Sequence, residues 1–168
     1  MKINIKLFVS ILFLMQGMLY ASDMDKTEGY RVALNFVNAF LVQKDVKKSL
    51  AYVSKDAVFR KQKKGSAIKQ IRQAEGMGHI TLHEIIFFDR NTFTEQFTQL
   101  GKRYPVTKKQ DSEYTPLYIR PFINEKSVGC FVTADIVTKK GKRTTLVALF
   151  VFNEKDGRYR LVYMKDVV

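Results

Sequence analysis

The chain has two histidines, His79 and His83, and their spacing decides what chemistry they can share. At this separation on a helix, the two side chains could grip one metal ion. The surrounding sequence HITLHEIIFFD is rich in β-branched and aromatic residues, which favours a strand over residues 79–89. On a strand of ~3.3 Å per residue the pair would be about 13 Å apart, too far for joint coordination. We therefore expect no metal site.

Asp135 is the carboxylate that the sequence places among apolar neighbours, with Phe131, Thr133 and Val137 on the same face of a predicted strand. A carboxyl group held in an apolar pocket has a raised pKa and can act as a general base. The alternative, which we favour, is a solvent-facing or salt-bridged aspartate. The sequence contains no G-x-S-x-G nucleophile motif and no glycine-rich phosphate loop, so we expect a non-enzymatic protein.

Basic residues dominate the charge, with 29 Lys+Arg against 16 Asp+Glu. They cluster at predicted turns and element ends, as RKQKK (60–64), KR (102–103), KK (108–109) and KKGKR (139–143). Such clusters are either a solvated surface or the footprint of an acidic partner. The partner would be an acidic protein, an anionic lipid or an envelope polymer. The residues expected to face it are Arg60, Lys61, Lys63, Lys64, Lys139, Lys140, Lys142 and Arg143.

Nucleic acid is not an expected partner. The aromatic residues alternate inside predicted strands, as core residues do, and do not interleave with the basic clusters as stacking platforms would. Export from the cell, for which the first residues give evidence, also argues against a role on genomic DNA.

The first 22 residues are typical of a secretory signal peptide. Lys2 and Lys6 precede an apolar stretch over residues 7–14, and the small residues Ala21 and Ser22 follow it. The apolar stretch is shorter than the ~20 residues that span a bilayer, so we expect removal, with an uncleaved anchor as the alternative. Residues 23–168 would then be a single periplasmic or secreted domain of formal charge +11, without a membrane span, since removal takes two lysines and no acid from +13.

Cys130 is the only cysteine, so no internal disulfide can form. It lies in the apolar alternation Val128, Cys130, Val132 and Ala134, and we expect it to be a small buried hydrophobe.

Helical patterns dominate the first half of the chain and strand patterns the second half. Apolar spacing predicts a helix over about 27–42 whose broad apolar arc suits a helix embraced by a curved sheet. We expect further helices after Asp45, after Ser66 and from Thr92, the last ended by Gly101. Strands are predicted over 57–59, 79–89, 114–123, 127–138, 144–152 and 158–167, and in the second of them Ile80, Leu82, Ile86 and Phe88 are predicted to share one face.

Helices first and an antiparallel meander last make an α+β layout. This order resembles the NTF2-like superfamily of cone-shaped α+β barrels. The resemblance rests on YRVALNFVNAFLVQKDVKKSLAYVSKDAV (30–58) and LVALFVFNEKDGRYRLVYMKDV (146–167). It implies N-terminal helices packed in a curved antiparallel sheet. Exported bacterial members are small binding or assembly modules, and other members are isomerases or dehydratases.

A cone of this kind would direct polar side chains from inward strand faces into a pocket. In isomerases and dehydratases of the superfamily an acid or a histidine inside the cone does the catalytic work, which makes Asp135 and His83 the catalytic candidates. Tyr118, Arg120 and Tyr163 are the ligand-binding candidates. No cofactor is expected.

Three functions stay open, because a fold alone does not settle activity. We favour an exported binding module whose basic surface faces an anionic partner. The alternatives are a lyase or isomerase, and a subunit of an envelope secretion or adhesion assembly. A homo-oligomer is compatible with each.

Overall fold

The computed structural model describes residues 24–60, 64–73, 78–104, 119–137 and 141–166. The expected signal peptide therefore lies outside the described residues, as do Tyr118, Lys61, Lys63, Lys139 and Lys140. The elements in chain order are α1 (Met24–Val37), a π-helical turn (Asn38–Val42), α2 (Val46–Leu50), β1 (Val53–Arg60), β2 (Lys64–Ser66), α3 (Ala67–Gln73), β3 (His79–Asp89), α4 (Phe93–Arg103), a 3₁₀ turn (Arg120–Phe122), β4 (Val128–Val137), β5 (Arg143–Lys155) and β6 (Arg158–Asp166).

The six strands form one sheet in the order β2-β1-β6-β5-β4-β3. Neighbouring strands are antiparallel except β1 and β6, which are parallel. The predicted meander of the last three strands is confirmed. Its second turn is made by Asp156 (φ 54°) and Gly157 (φ 71°), the left-handed pair that a two-residue hairpin turn requires.

α1 packs on one face of the sheet, here called the inner face. Ala33, Phe36, Val37 and Phe40 of this helix are buried there. The ring of Phe36 lies 5.2 Å from that of Phe150, an edge-to-face geometry that favours aromatic contact. The prediction of a broadly apolar first helix inside an α+β sheet is therefore confirmed, although its last five residues form a π-helical turn.

The other face of the sheet, here called the outer face, carries a second apolar cluster beneath α4. Phe93 of α4 contacts Phe88 of β3 with ring centroids 5.1 Å apart, and Phe97 contacts Phe131 of β4. Because both faces are covered, β4 is buried at every residue from Val128 to Ala134. This includes Cys130, as predicted.

A β-bulge interrupts β3, and because of it the prediction that Ile80, Leu82, Ile86 and Phe88 share one face is wrong. Leu82 pairs with Ala134 and Glu84 pairs with Thr133, so His83 is an extra residue in the ladder. The extra residue reverses the alternation after it. Ile80 and Leu82 therefore share the inner face with Ile85 and Phe87, while Ile86 and Phe88 lie on the outer face.

Two other predicted elements differ. The prediction of a strand over 114–123 is wrong at Arg120–Phe122, which form a 3₁₀ turn with Pro121 near its start, and residues 114–118 lie outside the described part. The first strand begins at Val53, earlier than predicted, because α2 ends at Leu50. Asp45 does cap α2, since its Oδ1 accepts the Lys48 N–H at 2.8 Å. Within the described ranges, no helix is both long and apolar enough to cross a membrane.

Candidate functional site

Asp135 lies on the outer face, opposite Thr81 of β3 and Thr145 of β5. Its Oδ2 accepts hydrogen bonds from Nε and Nη2 of Arg143, at 2.9 and 2.5 Å. Its Oδ1 accepts one from the Thr145 hydroxyl at 3.1 Å. Nε2 of His83 lies 3.1 Å from Oδ2. Four donors thus surround one carboxylate whose side chain is only 13% exposed.

The surroundings of Asp135 favour its ionised form. The hydrogen bond from Arg143 holds its pKa below the usual value, and those from His83 and Thr145 act in the same direction against the opposing effect of partial burial. The raised pKa that a general base requires is therefore not found. The favoured alternative, a salt-bridged aspartate, describes the observed geometry.

Both histidines lie on the outer face near the start of β3. His79 pairs with Val137, which in turn pairs with Arg143 across β4 and β5. His83 occupies the bulge and its side chain is 43% exposed. The strand over 79–89 is confirmed, so the two histidines lie along a strand as expected. The described residues contain no group of three side chains that could hold a metal ion.

The ligand-binding candidates are not gathered at one site. Tyr163 is fully buried on the outer face, where its ring lies 4.4 Å from that of Phe122. Arg120 is exposed in the 3₁₀ turn. Of the five residues expected to line an inward pocket, only His83 and Asp135 contact each other in the described structure, and they do so on the face opposite α1.

Aromatic rings occupy the inner face where α1 crosses the sheet. Phe36 stacks on Phe40 at 5.4 Å, and both rings meet Phe150 edge-on. A shallow open cleft of about 370 Å³ lies elsewhere, lined by Arg90, Asn124, Glu125, Lys126 and Glu154. Its charged side chains are paired with one another, Arg90 with Glu125 and Lys126 with Glu154.

The strand directions bring the two longest basic clusters to the same end of the sheet. β1, β4 and β6 run one way and β2, β3 and β5 the other, so β1 and β4 finish where β2 and β5 begin. The connection from Arg60 to Lys64 and that from Val137 to Arg143 therefore leave and re-enter the sheet at one end. We call it the basic end.

Acids are absent from the sequence around both connections. Residues 57–74 contain six Lys or Arg and residues 136–153 contain four, and neither segment contains Asp or Glu. Part of the first segment is α3, which packs on β1 and exposes Lys69 and Arg72. In the second segment Lys142 and Arg143 are exposed.

The register gives the span of the basic end. Phe59 and Phe150 both pair with Met164, which places Arg60 level with Leu149. Arg143 lies six residues beyond that level along β5, or about 20 Å at ~3.3 Å per residue. The two connections are thus staggered along the sheet and separated by the width of β6.

The other end of the sheet, which we call the opposite end, has balanced charge. Here Nζ of Lys26 lies 2.9 Å from Asp89. Nζ of Lys126 lies 2.7 Å from Oε2 of Glu154. These two pairs contrast with the acid-free segments around the basic end.

Comparisons with known proteins place the fold. No family model and no curated protein matches the sequence. An NTF2-like protein of unknown function from Pseudomonas putida KT2440 superposes with a TM-score of 0.52 at 10% identity, over 86% of this chain and 87% of that one. This chain has the NTF2-like fold. The association domain of CaMKII from C. elegans matches it with a TM-score of 0.50 at 12% identity, over 85% and 95% of the two chains.

NTF2-like neighbours of this chain differ in what they do. A candidate polyketide cyclase from Silicibacter sp. TM1040 matches with a TM-score of 0.50 at 11% identity, over 83% of this chain and 87% of that one. At such identities the likeness establishes the fold alone. Function has to be argued from this chain's own residues.

Two features of this NTF2-like sheet were missed from sequence. His83, which contacts Asp135, occupies a bulge that nothing in the residue pattern indicates. The exposed cations Lys69 and Arg72 of α3 could have been assigned to the same acid-free segment, because that segment runs from residue 57 to residue 74. The cluster predicted from the sequence ended at residue 64.

Proposed function

We propose that this protein is an exported, non-enzymatic binding module whose basic end faces an anionic partner. The observation that carries the proposal is the convergence of two acid-free basic segments at one end of the sheet, whereas at the opposite end acids accompany cations, as Asp89 does Lys26 and Glu154 does Lys126. A surface of one sign attracts partners of the other sign over about a Debye length. Export rests on the sequence of residues 1–22.

Two observations support binding over catalysis. Four hydrogen-bond donors contact the Asp135 carboxylate, and the lowered pKa of this group makes it a poor proton acceptor. The inner face beneath α1 is filled by Phe36, Phe40 and Phe150. Asp135 is therefore engaged in ion pairing, and aromatic packing occupies the inner face.

The size of the basic end indicates the kind of partner. A single small anion cannot touch two connections staggered by about 20 Å along the strands. An extended anionic surface can, and each lysine or arginine near an anionic membrane contributes about 1 kcal/mol. A phosphate-rich lipid surface and an acidic polymer share this chemistry, so both belong in the test.

The two connections of the meander provide a matched pair of variants. K139Q/K140Q removes two charges from the segment that joins β4 and β5, whose ends lie at the basic end. K155Q/R158Q removes two exposed charges from the β5–β6 turn at the opposite end. Binding is measured by co-sedimentation with vesicles of phosphatidylglycerol and phosphatidylcholine, with phosphatidylcholine alone, and on immobilised polyglutamate.

We expect K139Q/K140Q to lose about 25-fold in affinity, from two cations at about 1 kcal/mol each, and K155Q/R158Q to stay within about twofold of wild type. Raising salt from about 0.1 M to about 1 M would abolish binding, because the Debye length falls from ~10 to ~3 Å. The vesicle and polyglutamate arms show which anionic source is preferred. Equal losses in the two variants would contradict the proposal, because net charge alone would then explain the binding.

A further inference from the structure

We infer that the basic end binds its anionic partner more tightly at mildly acidic pH, because both histidines of the chain lie on the outer face beside it. This inference rests on the proposed function and adds its regulation. Histidine is the side chain whose charge normally changes between about pH 5 and 8. The two residues would therefore add up to two positive charges to a surface that is already cationic.

The register places His79 in line with Arg143, and the contact with Asp135 places His83 beside the carboxylate that Arg143 binds. His79 shares a row across the sheet with Val137 and Arg143, and it is exposed. His83 contacts Asp135, the carboxylate that also binds Arg143. Lys142 is exposed next to Arg143. A proton on either imidazole thus adds charge within the basic end.

The described acids near the two histidines already have arginine partners, so a proton on either histidine adds net positive charge. From β4, Asp135 is held by Arg143 of β5. On β3 itself, Glu84 is held by Arg103 of α4, at 2.9 Å, and Lys102 is exposed beside that arginine. From the link between α1 and α2, Nζ of Lys44 donates to the carbonyl of Gly78, next to His79. The two described acids here are each already paired with an arginine.

The contact between His83 and Asp135 also provides a mechanism by which Arg143 can leave Asp135 and bind the partner. The Arg143 side chain is 72% exposed, so it can turn toward a partner at the basic end. With His83 uncharged, such a turn would leave Asp135 without its cation. A protonated His83, already 3.1 Å from Oδ2, supplies the replacement and removes that cost.

The test compares the vesicle affinity of wild type, His79→Gln, His83→Gln and the double variant at about pH 7.5 and about pH 5.5, at constant ionic strength. Glutamine keeps a hydrogen-bond donor at each position and removes the titratable charge. Phosphatidylglycerol is used because its phosphodiester stays ionised over this range. K155Q/R158Q serves as the control that retains both histidines.

We expect wild-type affinity to rise about 25-fold on acidification, at about fivefold per added cation. In each single variant the affinity would rise only about fivefold on acidification, because one histidine remains. The double variant would bind equally at both pH values, with the affinity that wild type has at the higher pH. The control variant would keep the full rise. Binding that ignores pH in wild type, or a rise that survives in the double variant, would overturn this inference and leave the proposed function standing. Failure to bind at either pH would instead contradict binding of a lipid surface, on which this inference depends.

Discussion

Arg143 and Asp135 form an ion pair across β4 and β5 in which two guanidinium nitrogens donate to the same carboxylate oxygen, Oδ2, at 2.9 and 2.5 Å. The pair is diagonal, since Asp135 lies directly opposite Thr145. It holds the first residue of β5 in a defined position at the basic end while leaving the guanidinium largely exposed. A surface cation that is positioned and still accessible suits recognition of an anion.

The Asp135 carboxylate is expected to stabilise the fold only while it is ionised. Because the hydrogen bond from Arg143 lowers its folded-state pKa, its contribution is complete above the ordinary aspartate pKa, near pH 4, and is lost as pH falls through the lower folded value. Asp135→Asn removes this contribution. Thermal unfolding followed by circular dichroism should show wild type more stable than the variant at about pH 6, with the difference shrinking toward about pH 2.5. A difference that stays constant with pH would contradict this assignment.

Asp89, the last residue of β3, forms hydrogen bonds with α1 and with the residues that precede α4 at the opposite end. Its Oδ1 accepts the backbone N–H groups of Asn91 and Thr92 and the Thr92 hydroxyl, and its Oδ2 binds Lys26 of α1. Burial raises the pKa of this carboxyl, but the hydrogen bonds from Lys26 and Thr92 outweigh burial and lower it.

Asp89→Ala is expected to cost about 2 kcal/mol in the free energy of unfolding, because it leaves several donors without their acceptor. Lys26→Ala, which removes one of those donors, should cost less. Urea unfolding at about pH 7 and about pH 3 provides the measurement, and the Asp89→Ala deficit should be smaller at the lower pH, since the folded pKa is depressed. Equal deficits for the two variants would count against a joining role for Asp89.

Alanine substitutions at Gly129 and Gly101 are expected to change the stability of the protein in opposite directions. A Cβ at Gly129 would meet the ring of Phe88 and come within 2.7 Å of the Phe150 carbonyl oxygen, whereas a Cβ at Gly101 would meet nothing within 4 Å. Gly129→Ala should therefore destabilise the protein by about 1–3 kcal/mol through overpacking between β3 and β5. Gly101→Ala, inside α4, should stabilise it by about 0.5–1 kcal/mol. Thermal unfolding that moved both variants in the same direction would contradict this packing.

Much of the fold followed from the sequence because local patterns and long-range packing agreed. The Asp156–Gly157 turn and the alternation around it specify the meander, and the apolar arc of α1 specifies a helix set against a sheet. The prediction of a strand over 114–123 is wrong at Arg120–Phe122 because Pro121 lies near the start of a 3₁₀ turn there. The helix predicted from Thr92 is found as α4, and the Thr92 hydroxyl bonds to Asp89 rather than to the first turn of that helix.

The candidate site was harder to predict because strand alternation does not reveal which face is inward. Asp135 shares its strand face with Phe131, but this is the outer face beneath α4, and α1 covers the other face. A second bulge lies between Val151 and Phe152, whose partners are Tyr163 and Leu161 on β6, and this change of register takes Tyr163 to the outer face. Bulges depend on the pairing of whole strands, so single-strand patterns miss them.

The central claim is that the basic end, and not the protein as a whole, contacts the anionic partner. Lys142→Cys and Arg158→Cys each place one reactive thiol, at the basic end and at the opposite end. The native Cys130 does not compete, since it is fully buried and burial raises the pKa of its thiol far above the usual value. With an environment-sensitive fluorophore at either position, vesicles of phosphatidylglycerol carrying nitroxide headgroups should quench the label at residue 142 strongly and the label at residue 158 little. Equal quenching at the two positions, or stronger quenching at residue 158, would contradict the account.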